Sequence, residues 1–351
     1  RHHLDPGSAQ GTINKADRLI GRTLWDVTSR AFGTYSATGI KSQPDYLGQG
    51  LESSPSASSA VRQYRRSQRG SQAVLVSRYP ESRTVSEDAM AFYGELYTPD
   101  VPEDFQMPFR PLRQPEPDPE LLKAFHLDAV QRAIQDYPVA RSAGPDGIHP
   151  VLIKALAEDG LGQLLAHLFE LCARSGLTPL RWNTSLVHPI PKGAATAHAN
   201  VPDAETSGVR QNEFRTIEEM RPISLTVLFR RLFEKCLLAS FSPADNLFHP
   251  AQAGFRSGHS TVSHALVAHT DAAQGGECYQ VFIDLKQAYD RTAMPRLFHK
   301  LSARGMHPAK LALIYSLSIG TRSYINVNGT MSPTSFERIR GLFQGSLLAP
   351  Y

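Results

Sequence analysis

Tyr279-Gln280-Val281-Phe282-Ile283-Asp284-Leu285-Lys286-Gln287-Ala288, continued by Tyr289-Asp290-Arg291, sets one carboxylate at the end of an apolar run. Alternation puts Val281 and Ile283 on one face and Phe282 and Asp284 on the other, and the β-branched and aromatic content favours a strand over a helix. The pattern predicts that Asp284 emerges where the strand meets its turn, a placement that suits a catalytic metal site. Asp284 and Asp290 are spaced like acids of a calcium loop, but Lys286, Ala288 and Tyr289 stand where such a loop needs oxygen ligands and a turn glycine, so calcium binding is excluded. Asp290 is read as holding the turn or pairing with Arg291, with a direct catalytic role as the lesser alternative.

Downstream of this stretch, prolines at first-turn positions predict helices near 295–303 and 308–318. Two strands over 322–327 and 334–340 follow, joined through Asn328-Gly329. Upstream, a helix over 224–241 is expected to be half-buried, with Leu228, Phe229, Leu232 and Phe233 on its core face and Arg230, Arg231, Glu234 and Lys235 opposite. A strand over 186–190 and a core helix through Leu161, Leu165 and Leu168, capped by Gly176, precede it. Residues 193–214 are polar and without period and read as a long loop. Farther up lies a helix over 85–96 with Ser86 as N-cap, then a stiff Pro-rich linker over 99–119. Residues 1–60 are rich in Ser, Gly and Gln, and 53–59 are of low complexity, so a loose connector is expected there. The organisation is therefore a connector over 1–80, a helix with linker over 81–118, and a compact part from 119 onward that mixes strands and helices in an α+β class.

Composition narrows the function. The 37 Lys and Arg against 33 Asp and Glu leave a formal charge of only +4, so attraction to phosphate must come from local clusters. The densest cluster is Arg62, Arg65, Arg66 and Arg69, at helical spacing; it makes either a basic face for RNA phosphates or a solvated run. Three widely spaced cysteines, Cys172, Cys236 and Cys278, imply free thiols in a reducing, intracellular setting. No apolar run is long enough to span a bilayer and no secretory signal opens the chain, so no membrane partner is expected. The 13 histidines include no His-Glu-x-x-His spacing and no Cys-x-x-Cys exists, which excludes structural zinc. Gly254 to Thr261 lacks the lysine and the spacing of a phosphate loop, which excludes a P-loop nucleotidase.

The segment Phe282-x-Asp284-Leu285-Lys286-x-Ala288-Tyr289-Asp290-Arg291 resembles the first catalytic motif of reverse transcriptases from non-LTR (LINE-type) retrotransposons. Further segments follow that family's order: Ile190-Pro191-Lys192, Arg221-Pro222-Ile223-Ser224-Leu225, Gln252-Ala253-Gly254-Phe255-Arg256 with Ser260-Thr261, and Gly341 through Pro350 around Gln344-Gly345. Weaker similarity reaches up through Ser142-Ala143-Gly144-Pro145-Asp146-Gly147 to Phe92-Tyr93-Gly94-Glu95-Leu96-Tyr97.

The resemblance implies a right-hand polymerase, with fingers and palm base over 119–278 and a partial palm over 279–351. It implies an RNA-directed DNA polymerase that uses Mg2+, or Mn2+, in two-metal nucleotidyl transfer. Template RNA, a DNA primer end and deoxynucleoside triphosphates would be its partners, in nucleus and cytoplasm. On this reading Asp284 and the Leu285 carbonyl face a metal, Lys192 and Arg221 reach the triphosphate, and Tyr289 underlies the sugar and excludes a 2′-hydroxyl. Gln344-Gly345 approaches the nascent base pair, and Arg256 meets template phosphate. The thumb and the second catalytic carboxylate pair are expected outside the chain, making it a fragment that does not polymerise alone. Two alternatives stand beside this: a group II intron-type reverse transcriptase or maturase, and a decayed polymerase fold serving as an RNA-binding module.

Overall fold

In the computed structural model, which describes residues 6–32, 74–75, 84–98, 111, 115–139, 141–192, 214–241, 249, 251–256, 258–273, 279–328 and 330–351, one mixed sheet organises the region around Asp284. The arginine cluster over 62–69, the low-complexity run over 53–59, Cys278 and nearly all of the 193–214 loop lie outside the described residues. A short parallel bridge joins β1 (Val74–Leu75) to β3 (Phe214–Arg215). The main sheet is built on β2 (Thr184–Pro191), which pairs antiparallel with β4 (Met220–Thr226) and parallel with β5 (Thr321–Val327). The far edge of β5 takes β6 (Thr330–Met331) and β7 (Phe336–Arg338), both antiparallel.

Helices cover this sheet. α1 (Pro6–Phe32) is followed by α2 (Val85–Tyr97), α3 (Pro119–Ala124), α4 (Leu127–Gln135), α5 (Pro150–Leu156), α6 (Gly162–Ser175) and α7 (Leu228–Ala239). α8 (Thr261–Ala273), α9 (Met294–Ala303) and α10 (Pro308–Ser318) complete the set among the described residues. The larger core joins α1, α3 to α7 and α10 around Phe125, Phe169, Trp182 and Phe233, whose rings meet at 4.7–5.9 Å. Burying each such ring contributes about 1.5–3 kcal/mol. A second cluster packs Tyr93 and Tyr97 of α2 on Val187, Ile325 and Phe336 of the sheet. The cysteines Cys172 and Cys236 are buried free thiols, as expected.

Four sequence expectations are corrected. The first helical turns of the expected connector form α1, because Ala9, Ile13, Ala16 and Ile20 make an apolar stripe that docks in the larger core. α2 is capped by Thr84, not Ser86: the Thr84 hydroxyl accepts from the Glu87 N–H while the Glu87 carboxylate accepts from the Thr84 N–H. Ser224 and Leu225 belong to β4, and the helix begins only at Leu228, whose N–H donates to Asp146 Oδ2.

The fourth correction concerns the polar side of α7, which is buried rather than solvated: Arg230, Arg231 and Glu234 are 3%, 5% and 0% exposed. The Arg230 guanidinium binds Glu234 at 2.7 Å and the carbonyls of Trp182 and Leu317. The other Glu234 oxygen accepts from Ser346 Oγ and the Leu347 N–H, both at 2.9 Å. Charges so deep need partners, and besides the Arg230–Glu234 pair itself those that hold the two residues, Trp182, Leu317, Ser346 and Leu347, lie far along the chain, out of reach of helical periodicity.

Candidate active site

Residues 279–285 do not form the strand that their alternation predicts. They run irregularly, with Tyr279, Val281, Phe282 and Ile283 more than four-fifths exposed. Strand alternation is useful only when a neighbour completes the hydrogen-bond ladder, and no strand among the described residues pairs with this run. The Gln280 amide donates to the Ala268 carbonyl of α8, a helix with no buried residue, at 2.7 Å. Asp284 nevertheless does emerge just before a turn, exposed to solvent.

That turn is firmly held. Gln287 adopts φ 54°, the Arg291 N–H returns to the Gln287 carbonyl at 3.0 Å, and the Arg291 guanidinium binds the Gln287 side chain at 3.1 Å. Residues 341–346 then clamp it from outside. The Gly341 N–H donates to the Thr292 carbonyl at 2.9 Å and the Leu342 N–H to the Tyr289 carbonyl at 2.8 Å. Gly341 has φ 85°, and a Cβ there would lie 2.6 Å from the Asp290 carbonyl, so only glycine lets the two backbones meet. Gly345 likewise has φ 121°, with the Ser224 carbonyl 2.9 Å from where its Cβ would stand, and the Ser224 N–H donates to the Gln344 carbonyl at 2.6 Å.

Beneath the turn sits a carboxylate that sequence reading undervalued. Asp290, 3% exposed, accepts from the Tyr97 hydroxyl at 2.5 Å and from Gln344 Nε2 at 2.9 and 3.0 Å on its two oxygens. Its partners are thus Tyr97 and Gln344, in place of the expected Arg291. Below Tyr97 lies Arg338, its guanidinium 4.0 Å from the ring centroid and donating to the hydroxyls of Ser323 and Ser224, both at 2.9 Å. Burial pushes the Tyr97 phenol up and the Arg338 guanidinium down from their ordinary values.

The basic side of the site comes from β2 and β4. Their register sets Ile190 opposite Arg221 and Pro191 opposite Met220, so Lys192 and Arg221 stand at the same end of one ladder despite the long loop between them. Lys192 is fixed by its ammonium on the Glu218 carbonyl at 2.7 Å and its N–H on the Glu219 carbonyl at 2.8 Å. Arg340, unremarked in the sequence, donates to the Leu96 carbonyl at 2.7 Å; burial and then the like charge of Arg291 depress its pKa.

These parts enclose an open cleft of about 830 Å3, lined by Lys192, Arg221, Asp284, Leu285, Tyr289 and Gln344 together with Arg291 and Arg340. Six of the expected site residues are therefore brought together; Gly345 backs the cleft rather than lining it, and Arg256, which donates to the Gln252 carbonyl at 3.1 Å, lies outside the lining. Partial burial lifts the Tyr289 phenol above its ordinary pKa. As a metal site the lining is incomplete: Asp284 is an exposed carboxylate able to ligate, Asp290 is spent on its two donors, and no group of three or more His, Cys, Asp or Glu suited to a metal occurs among the described residues. A smaller apolar pocket of about 90 Å3, between α9, α10 and residues 341–351, contains none of the expected residues.

Residues 209–351 match the family described as reverse transcriptase (RNA-dependent DNA polymerase). The chain is 27% identical over 237 residues to a probable RNA-directed DNA polymerase from transposon BS of Drosophila melanogaster, covering 65% of this chain and 24% of that protein. It is 26% identical over 238 residues to the RNA-directed DNA polymerase from mobile element jockey of the same species, covering 65% and 24%. The jockey polymerase of Drosophila funebris is 25% identical over 272 residues, covering 75% and 26%. The chain thus spans about a quarter of the length of the curated relatives it matches.

Proposed function

We propose, on the premise that residues 209–351 match the reverse transcriptase family and the chain is similar to RNA-directed DNA polymerases of mobile elements, that this is a reverse transcriptase of the non-LTR, LINE type whose cleft binds a deoxynucleoside triphosphate opposite an RNA template. The observation that carries this reading is convergence: Lys192, Arg221, Asp284, Tyr289 and Gln344, scattered over most of the second half of the chain, line one cleft. Residues 119–278 then act as fingers and palm base, and 279–351 as part of the palm.

Each wall has its task. Lys192 and Arg221 hold the triphosphate through charge-assisted hydrogen bonds, which draw the nucleotide in and steady its phosphates as the α-phosphorus is attacked. Tyr289 supports the deoxyribose and leaves no room for a 2′-hydroxyl. Gln344 approaches the new base pair. A divalent cation, Mg2+ or Mn2+, would bind the Asp284 carboxylate and the Leu285 carbonyl, screening phosphate charge. RNA template, DNA primer end and dNTPs are the partners.

The relatives' names favour retrotransposition over an intron-splicing role. Primer extension on an RNA template by the full-length protein that contains this chain tests the reading. DNA synthesis dependent on added Mg2+ supports it, and absence of synthesis with a folded protein refutes it. Among the described residues no helix is long and apolar enough to cross a membrane.

A further inference from the structure

We propose that Asp290 is a positioning residue that fixes which face of the Gln344 amide the nucleotide meets. The inference rests on the reading of the cleft as a nucleotide site, and assigns within it a residue whose part is not chemical.

An ionised carboxylate only accepts hydrogen bonds, and one buried as deeply as Asp290 is tolerated only when its oxygens are satisfied. Both donors are therefore constrained. The Tyr97 hydroxyl must turn toward Oδ1, and the Gln344 side chain must present its nitrogen, whose two contacts at 2.9 and 3.0 Å straddle the carboxylate. Gln344 lines the cleft, so its amide oxygen is the group left for a ligand. A neutral partner at position 290 would permit the flipped amide, which offers a donor instead, at little cost.

The rest of the surroundings serve this one orientation. The Gln344 carbonyl is pinned by the Ser224 N–H at 2.6 Å, so the side chain pivots from a fixed backbone. Asp290 closes the turn that carries Tyr289 and follows Asp284, and Tyr97 anchors it to α2, which packs on the sheet. The buried negative charge is balanced across the Tyr97 ring by Arg338, itself bonded to the Ser323 and Ser224 hydroxyls. One carboxylate thus couples the sugar side of the cleft, through Tyr289, to its base side, through Gln344.

The test is a kinetic cycle in the full-length protein, with steady-state single-nucleotide incorporation on an RNA template. Asp290→Asn keeps the shape and removes the charge. It is expected to raise KM for the correct dNTP about tenfold while kcat changes less than about threefold, in line with the loss of one charge-assisted hydrogen bond. Gln344→Ala is expected to raise KM similarly, and the double variant no further, because both remove one arrangement. Tyr97→Phe, which spares the Gln344 contact, should lower the melting temperature and leave KM within about twofold. Unchanged KM in Asp290→Asn, KM effects that multiply in the double variant, or a loss of kcat at unchanged KM would each overturn the assignment. Should Asp290→Asn not fold, Asp290→Glu, which keeps the charge but displaces the amide, is read by the same KM and cycle criteria. A wild-type protein that incorporates nothing would instead bring down the nucleotide reading itself.

Discussion

Lys192 and Arg221, separated by residues 193–220, are held at the same end of one ladder because Ile190 pairs with Arg221 across the antiparallel β2–β4 ladder. The pairing turns two residues that would each pass for solvated surface charge into neighbours on the rim of a cleft that also holds Asp284. Changing either to alanine is expected to raise KM for dNTP by about tenfold or more, the worth of a charge-assisted contact, and the double change to raise it further. Because both side chains reach solvent, the melting temperature should scarcely move. Single-nucleotide kinetics beside a thermal melt check both halves of the prediction.

Tyr289 stands in the cleft on a turn clamped by the Leu342 N–H on its own carbonyl. The clamp fixes the backbone from which the ring projects, and a small side chain at that position opens space. Tyr289→Val is expected to raise ribonucleotide incorporation relative to deoxynucleotide by about tenfold or more, the scale of a removed steric conflict of about 1.4 kcal/mol. Competing rNTP against dNTP in primer extension measures this directly, and unchanged discrimination would remove Tyr289 from the sugar site.

Glu234 is fully buried, binding Arg230 on one oxygen and Ser346 and the Leu347 N–H on the other. Glu234→Ala leaves the Arg230 charge unpaired in the interior and frees the segment that follows Gln344. The expected loss is about 3–5 kcal/mol, which equilibrium denaturation of the protein will register. Glu234→Gln, which keeps the shape, should lose less.

Gly341→Ala adds a Cβ at φ 85° with the Asp290 carbonyl 2.6 Å away. Since that contact is backbone against backbone, nothing flexible can yield. A cost of about 1–3 kcal/mol and a loosened turn are expected. Gly305→Ala, at φ 81° but with nothing within 4 Å, pays only the backbone strain, so the two melts separate crowding from conformation.

Two histidines make stability depend on pH. Burial lowers the pKa of His149, whose Nδ1 accepts the Val151 N–H at the start of α5, and of His188 on β2. A pKa below the unfolded value of 6.5 means the fold favours the neutral ring, so this stability is present above pH 6.5 and is lost as pH falls through the folded values. Denaturation midpoints should decline from pH 7 toward pH 5, and His149→Asn, which can still cap the helix, should flatten part of that slope.

How much of this was legible in the sequence divides along the range of the interactions involved. Gly176 in the left-handed conformation after α6, and prolines opening α9 and α10, are local choices and were read correctly. The order of Lys192, Arg221, Asp284 and Gln344 along the chain was readable as motif, and the structure places all four on one cleft. What was missed is non-local. Residues 279–283 carry strand-like alternation but lack a paired neighbour among the described residues, so propensity alone does not make them a strand. The stripe Ala9, Ile13, Ala16 and Ile20 is thin within a Ser- and Gly-rich run, and only its docking against α6 reveals α1 as a helix. Asp290 bonds to residues 193 and 54 positions away, and no period in a sequence encodes such a partnership.

The central claim is that Asp284 is the metal-holding carboxylate of a nucleotide cleft. Single-turnover dNTP incorporation by the full-length protein, wild type against Asp284→Asn, tests it most directly, because the side chain is exposed and its amide should fold as well as the acid. The account predicts a fall of about a thousandfold or more with an unchanged melting temperature, several kcal/mol of lost charge stabilisation at the transferring phosphate. Incorporation within about tenfold of wild type, a loss of no more than about 1.4 kcal/mol, would contradict it.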